Sequence, residues 1–311
     1  MNTLRNGKEA IYKIKNAVLT NTPPIYNHHF LNKNIIDNDT LSIVMTSSNR
    51  SKQTYYTLDT IERSAYKNVH VVIVDDSTVD PIDLVHLETY SFSIDFIEII
   101  RSNKIWHNPC VNYNIGFKFV KGGKVMIQNA EVCHIGDVIS YAVSNINENT
   151  YYVFDVAASS GYTSNDIIYT MDTSKLDIFT YDKLFYMWYQ SQSNNRKLHF
   201  LTACTLNTFQ KIGGFSYDYA LGSCYDDDDL LLRIEANSIT IQSLHHTVVN
   251  CGGIHLYHVR NDTPDGWDNG KQNSVDLFNK KKHYLNKYKL YMEVSDNNST
   301  FFDNYKKLES A

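Results

Sequence analysis

The sequence predicts an α/β fold with a doubly wound, mostly parallel sheet. Short apolar runs over residues 41–45, 69–74 and 125–128 each end in polar residues, as buried strands that feed loops do. Apolar residues at helical spacing separate these runs, and this rhythm is typical of strand–helix–strand units with parallel strands. With 311 residues, 42% of them hydrophobic, the chain can bury one large core.

The regular pattern begins after an N-terminal extension. Residues 1–40 are expected to form this extension, which contains a short amphipathic helix. The strand over 41–45 then leads into a helix whose inward face carries Leu58, Ile61 and Ala65.

Two further strands, over 69–74 and 96–100, continue the alternation. Asn108 then resembles a helix N-cap with Pro109 in the first turn, because an asparagine oxygen can accept a free N–H and proline has none to satisfy. This helix is expected to end at the glycine pair at 122–123, directly before the fourth strand.

The pattern loosens over residues 151–265, where tyrosine and tryptophan concentrate, notably over 181–189. An aromatic stripe of this kind is more often core than a sugar-binding surface. Residues 266–311 are expected to form a helical tail, since residues 274–288 have the spacing of a basic amphipathic helix. Docking of this helix onto the body is favoured over membrane contact.

Composition narrows the possible partners. The formal net charge of −5 gives no electrostatic footprint for nucleic acid, so no nucleic-acid partner is expected. The five cysteines are scattered without a CxxC pair, which argues against a zinc knuckle or a disulfide framework. No apolar run is long enough to span a bilayer, and the N-terminus lacks the apolar core of a signal peptide. A cytoplasmic protein without a transmembrane segment is therefore expected.

Carboxylates, amides and histidines cluster where strands and helices meet loops. Residues 75–76 end the second strand, residues 129–131 end the fourth, and His255 and His258 follow late in the chain. Oxygen and imidazole ligands that converge at one sheet edge suit a divalent cation and a phosphorylated ligand. Each cluster also has a simpler interpretation, as a turn, a helix start or a pair of core histidines.

Four consecutive aspartates, residues 226–229, open a segment whose leucines have helical spacing. One aspartate at a helix N-terminus is an ordinary cap, but four adjacent carboxylates repel one another. Such a cluster favours contact with a cation, a proton in transit or a polar substrate. A solvated cap and a catalytic site both remain open from these residues alone.

The order of these blocks resembles the GT-A glycosyltransferases of the broad group called family 2, over about residues 41–260. The blocks that carry the resemblance are LSIVMTSSNR, VHVVIVDDSTVD, NPCVNYNIGFKF, VMIQNAEVCHIGDV, GGFSYDYALGSCYDDDDLLLRI and HLYHVR. The resemblance implies a nucleotide-sugar-binding half over 41–150 and an acceptor-binding, catalytic half over 151–265. It also implies a nucleotide-sugar donor, most often a UDP-sugar, and a hydroxyl acceptor on a glycan, a lipid-linked molecule or a protein.

The resemblance assigns roles to individual residues. Asp227 matches the general base, with Asp226 beside it, and Glu131 with His255 or His258 matches the ligands of a Mn²⁺ or Mg²⁺ ion. The positions that match nucleotide contacts are Thr46, Ser47, Asn49, Arg50, Asp75, Asp76, Asn108, Asn112, Asn114 and Asn129. One departure matters: the metal-binding DxD of such enzymes is Asn129-Ala130-Glu131 here, so a carboxylate has become an amide, which should weaken the cation site.

The expected reaction is sugar transfer with a divalent cation that neutralises the departing diphosphate. A carboxylate opposite the leaving group takes the proton of the acceptor hydroxyl, and inversion at the anomeric carbon follows if Asp227 acts in line. The altered DxD keeps a second hypothesis open, a nucleotide-sugar or glycan-binding module without turnover. A metal-dependent nuclease or phosphotransferase built on the aspartate cluster is a third, but it would need a basic channel that the composition does not show.

Overall fold

The computed structural model describes residues 26–100, 104, 106–190, 194, 196–220, 222–259 and 267–288. Its strands are β1 (Tyr26–Leu31), β2 (Leu41–Ser47), β3 (Val69–Asp75), β4 (Ser93–Ile99), β5 (Lys124–Gln128), β6 (Val132–Ile135), β7 (Thr150–Phe154), β8 (Val156–Ser159), β9 (Phe185–Tyr189), β10 (Leu201–Thr205), β11 (Thr240–Leu244) and β12 (Gly252–His255). Eight of them form a central sheet in the order β1-β4-β3-β2-β5-β10-β7-β11, and the order of the smaller sheet is β6-β12-β8-β9.

Helices cover both faces of the central sheet. They are α1 (Ser51–Glu62), α2 (Leu84–Leu87), α3 (Cys110–Gly116), α4 (Val138–Asn145), α5 (Tyr162–Ile168), α6 (Leu206–Ile212), α7 (Asp226–Ala236), α8 (His246–Val249) and α9 (Trp267–Tyr288). Successive strand residues point to opposite faces, so Val72 and Val74 join one core with α3, α6 and α7. Val71 and Ile73 join the other core with α1 and α4. The predicted doubly wound arrangement is confirmed.

The parallel part of the sheet is the part that the sequence predicted. β4, β3, β2 and β5 pair in parallel, and all four lie within one or a few residues of the predicted strands. β10 is antiparallel to both of its neighbours, β5 and β7, so the sheet is mixed at its centre.

The predicted N-terminal extension is too long. Residues 26–31 form β1, which pairs antiparallel with β4 and closes that edge of the sheet. The sequence hides this strand because an edge strand exposes most of its side chains, and polar residues dominate YNHHFL. The amphipathic helix expected nearer the N-terminus lies outside the described residues.

Helix α9 docks on the body, as expected from its amphipathic pattern. Leu285 is buried, and the ring of Phe278 lies 5.4 Å from that of Tyr225. A buried lysine adds to this apolar contact: Nζ of Lys281 lies 2.9 Å from Asp218 and 3.3 Å from Asp229. Residues 289–311 of the predicted tail lie outside the described residues. Among the residues that the structure describes, no helix is long and apolar enough to cross a membrane.

Candidate active site

The site lies at the edge of the central sheet where β2, β3 and β5 end. The parallel register of these strands brings residues 46–50, 75–77 and 129–131 to this edge. β10 runs the other way and begins here, because Leu201 pairs with Gln128. β12 of the small sheet also ends here, since His255 pairs with Val132.

Glu131 is the centre of a charged cluster. Its side chain is 1% exposed, and Oε1 lies 2.9 Å from Nη1 of Arg50 and 3.2 and 3.3 Å from Nε2 of His255 and His258. Burial alone would raise the pKa of Glu131, but Arg50 and the two imidazoles outweigh it and hold that pKa well below its usual range. The sequence left open which histidine lies here, and the structure brings both.

These residues fit a divalent cation. Oε2 of Glu131 is buried and has no hydrogen-bond partner within the described part of the chain. The carboxylate oxygen and the two imidazole nitrogens lie within 4.8 Å of one another, close enough to share one ion. Carboxylate and imidazole are donors that Mn²⁺ and related ions accept.

Asn129 supports this cluster where a DxD motif would place a carboxylate. Its Nδ2 donates to Oε1 of Glu131 at 3.3 Å, and its Oδ1 accepts from the hydroxyl of Tyr113 at 3.1 Å. An aspartate in this position would repel Glu131, whereas the amide donates to it. Asparagine in place of the first aspartate of the motif is therefore compatible with Glu131 in this fold.

Asp76 and Asp75 have different surroundings because neighbouring residues of an extended chain point to opposite sides. Oδ2 of Asp76 accepts from Nδ2 of Asn112 at 2.8 Å and pairs with Lys104, and its buried Oδ1 lacks a partner among the described residues. Burial opposes ionisation of Asp76, but Lys104 and the side chains of Ser48 and Asn112 together outweigh it and lower its pKa.

Asp75 instead fixes the loop that follows its own strand. Its carboxylate accepts from the hydroxyl of Ser77 at 2.6 Å and from the amide of Ile82 at 3.1 Å. Asp76, and not Asp75, is therefore the aspartate that keeps an acceptor atom for a ligand.

Asp75 should make folding stability fall with rising pH. Burial raises its pKa to about 6 from 3.8, so the folded chain holds this proton more tightly than the unfolded chain does. Stability from this group is therefore greatest below about pH 4 and is lost as pH rises through about 6, a total change of about 3 kcal/mol. Urea unfolding of the wild type and Asp75→Asn between pH 4 and 7 should show this slope only in the wild type. Parallel pH dependences of the two proteins would contradict it.

The loop after β2 holds itself and Arg50 in place. Oδ1 of Asn49 accepts from the amides of Thr78 and Val79, both at 2.8 Å, and Asn49 has a positive φ of 55°. Ser47 is buried, with its hydroxyl 3.3 Å from that of Thr54. Thr46 is partly buried one residue earlier. Of the residues predicted to contact the nucleotide here, Asn49 and Ser47 bond to other residues of the protein. Arg50 contacts Glu131.

The asparagines near α3 have three different tasks. Nδ2 of Asn108 donates to Oδ1 of Asp226 at 3.0 Å, while its own Oδ1 accepts from the amide of Cys110 at 2.8 Å, as the predicted cap requires. Asn112 bridges Asp76 and the indole N–H of Trp106. Asn114 is fully buried and bonds both main-chain polar atoms of Phe215, so it anchors the fold.

The four aspartates differ strongly in their surroundings. Asp226 is buried beside Asn108, and burial raises its pKa. Asp228 is 28% exposed and lies 3.5 Å from Nη2 of Arg196. Asp229 is fully buried, with its Oδ1 3.2 Å from the hydroxyl of Tyr219 and 3.3 Å from Lys281. The carboxylate of Asp229 therefore pairs with buried side chains of the body of the protein.

Asp227 is partly exposed and contacts a histidine that the sequence did not single out. Nδ1 of His199 lies directly against Oδ1 of Asp227. Burial lowers the pKa of His199 to about 3, so its imidazole is neutral at pH 7. The ring of Phe200 lies 5.2 Å from that of His255, so residues 199 and 200 contact Asp227 on one side and the Glu131 cluster on the other. The sequence signal that could have found His199 is its position just before β10, which begins at the same edge of the sheet.

Residues 42–229 match the pattern of glycosyl transferase family 2. The chain belongs to this family. It is a glycosyltransferase with a GT-A fold, as the motifs at 41–260 predicted, and the nuclease alternative has no support. No curated protein matches the chain.

Solved structures of low identity resemble the fold of this glycosyltransferase. S. aureus TarS 1–349 in complex with UDP-GlcNAc aligns over 87% of this chain and 71% of its own, with 10% identity and a TM-score of 0.50. Another structure of S. aureus TarS aligns over 70% of this chain, with 13% identity and a TM-score of 0.46, and the chain spans 37% of its length. The mannosyltransferase PcManGT from Pyrobaculum calidifontis, in complex with GDP-Man and Mn²⁺, aligns over 98% of this chain and 82% of its own, with 11% identity and a TM-score of 0.44.

Proposed function

We propose that this glycosyltransferase moves a sugar from a nucleotide-diphosphate sugar, with UDP the favoured nucleotide, to a hydroxyl acceptor with inversion. The observation that carries the proposal is the cluster of Glu131, His255 and His258 beside Arg50 at the edge of the sheet. In open α/β sheets this edge is where ligands bind. A diphosphate is the part of such a donor that needs positive charge and a cation.

Asp76 is proposed to contact the nucleotide. Its open Oδ1 is a buried acceptor, and a buried acceptor without a partner costs about 1–3 kcal/mol. A donor N–H of the base or a ribose hydroxyl would satisfy it. Lys104 and Asn112 hold the other oxygen and so fix the direction of the carboxylate.

Glu131, His255 and His258 would hold Mn²⁺ or Mg²⁺, and Arg50 would add a second positive charge toward the diphosphate. When bound, the cation supplies Lewis-acid neutralisation of the leaving group. Guanidinium groups bind phosphate oxygens through paired N–H bonds, which suits Arg50 for this place. Two imidazoles and one arginine supported by a single carboxylate give a more positive site than a DxD pair would.

Asp227 is proposed as the general base. Its side chain is 19% exposed, it lies next to the buried Asp226, and its Oδ1 contacts Nδ1 of His199. A carboxylate in this position can accept the proton of an acceptor hydroxyl as that oxygen attacks the anomeric carbon. Attack from the side opposite the diphosphate gives inversion.

The test is a screen of UDP-, GDP- and dTDP-sugars for binding and hydrolysis, with and without Mn²⁺. We expect at least one sugar nucleotide to raise the melting temperature and to release nucleoside diphosphate in a metal-dependent way. NMR of the product with the acceptor present should show an inverted anomeric centre. Binding without release of nucleoside diphosphate under any condition would support the module without turnover instead.

Asp76→Asn should raise the KM for the donor by about tenfold, because it removes a charge-assisted hydrogen bond worth about 1.5–3 kcal/mol. The kcat should change much less, since this contact is made equally in the ground state and the transition state. Asp75→Asn is the matched control, because Asp75 bonds only its own loop in the described contacts. A larger KM effect in Asp75→Asn than in Asp76→Asn would reverse the assignment.

A further inference from the structure

A second cluster of metal-type ligands lies away from the proposed active site. Asp155 follows β7, and His245 and His246 follow β11, its parallel neighbour in the central sheet. Oδ2 of Asp155 lies 3.0 Å from Nδ1 of His246 and 3.6 Å from Nε2 of His245. We propose that Asp155, His245 and His246 form a separate binding site for a zinc-type divalent cation.

The distances between these ligand atoms fit a tetrahedral ion. Zinc bonds to nitrogen and oxygen of about 2.0–2.2 Å place neighbouring ligand atoms of a tetrahedron about 3.3–3.6 Å apart. The two observed separations, 3.0 and 3.6 Å, bracket this range closely. All three ligand atoms lie within 4.8 Å of one another, so one ion can reach them together. Two imidazoles and one carboxylate with an open fourth position is a donor set that zinc uses in proteins.

The buried Asp155 carboxylate is only partly paired. Asp155 is fully buried, and its Oδ1 has no hydrogen-bond partner within the residues that the structure describes. Its other oxygen accepts from the amide of His246 at 3.2 Å and lies 3.0 Å from Nδ1 of the same residue, beside His245. A buried carboxylate that is not fully paired is costly, and a divalent cation would satisfy it.

The surrounding residues hold the ligands in a suitable orientation. Nδ1 of His245 lies 2.8 Å from the hydroxyl of Thr247, which can take its hydrogen and leave the Nε2 lone pair toward Asp155. Trp188 stacks on His246, with ring centroids 4.4 Å apart. The His245 side chain is 40% exposed, which gives an ion a path from solvent.

This site is distinct from the Glu131 cluster. Gly252, at the start of β12, passes next to Asp155 and His246, whereas His255, at the end of the same strand, belongs to the active site. Three residues of a strand span about 10 Å. Because the ligands come from two separate segments, the ion would connect the passage between β7 and β8 to the end of β11.

The test uses the full chain with His255→Gln and His258→Gln together, so that the active-site imidazoles do not contribute. Titrated with Co²⁺, this background should bind one ion with the visible absorption of a tetrahedral site, and Zn²⁺ should displace it and raise the melting temperature. Adding His245→Gln should weaken Co²⁺ binding by at least the roughly 10–100-fold that loss of an outer-shell partner costs, because it removes a ligand. Adding His283→Gln, an exposed histidine on α9, should change nothing.

A second readout locates the ion. Bound Co²⁺ should quench tryptophan fluorescence, and Trp188→Phe should remove most of that quenching because Trp188 stacks on a ligand. The proposal is overturned if the background binds no Co²⁺, if His245→Gln leaves the affinity unchanged, or if quenching survives Trp188→Phe. In those cases the histidines serve only as hydrogen-bond partners of Asp155. The proposed transferase function would be unaffected, because it rests on the Glu131 cluster, whose histidines are already replaced in this background.

Discussion

Asp227→Asn should lower kcat by about 10²–10⁴-fold, the range expected when a general base is removed. The amide keeps the shape of the carboxylate but cannot accept a proton, so the acceptor hydroxyl would have to attack without help. The KM for the donor should hardly change, because Asp76, Arg50 and Glu131 lie on other strands and loops. Initial rates with saturating acceptor, and donor binding by calorimetry, measure the two quantities separately.

The neighbouring aspartates provide matched controls for this result. Asp228→Asn makes the same chemical change one residue away, at a partly exposed carboxylate near Arg196, and should keep kcat within about tenfold. Asp229→Asn should act through folding, because Asp229 is buried against Lys281, and removing one partner of a buried pair costs about 3–5 kcal/mol. Loss of activity in Asp228→Asn with full activity in Asp227→Asn would move the base by one residue. Full activity of all three variants would show that these carboxylates have no catalytic role.

The fold could be predicted as far as its strands are buried on both faces. β2, β3 and β5 are continuous apolar runs because helices cover them on each side, and such runs stand out in the sequence. β1 is mostly exposed and carries polar residues, so it has no such signal. The reversed direction of β10 is a property of its pairing with β5 and β7, which apolar patterning does not encode.

Some contacts of the candidate site could likewise be predicted from the sequence, and others could not. The sequence indicated that Glu131 and His255 converge, but the cause is the antiparallel pairing of β6 with β12, which sets His255 opposite Val132. Which of Asp75 and Asp76 keeps an open oxygen depends on side-chain direction and on Lys104, which lies far along the chain from both. The contacts between Arg50 and Glu131 and between His199 and Asp227 join separate loops, so no local pattern predicts them.

Glu131→Gln should lower kcat/KM by about 10²–10³-fold, because cation stabilisation of a leaving group is worth several kcal/mol. The substitution keeps the size of the side chain but removes the only negative charge that the described contacts place between Arg50, His255 and His258. The Mn²⁺ concentration for half-maximal activity should rise. His255→Gln and His258→Gln should each raise it by at least the roughly 10–100-fold that loss of an outer-shell partner costs, because each removes a ligand. Mn²⁺ binding followed by EPR without donor separates loss of the ion from loss of chemistry, with His283→Gln as the control.

Wild-type kcat/KM and an unchanged Mn²⁺ requirement in Glu131→Gln would show that this carboxylate holds only Arg50. The diphosphate would then have to be neutralised by arginine and lysine side chains, and the transfer reaction would run in the presence of a metal chelator.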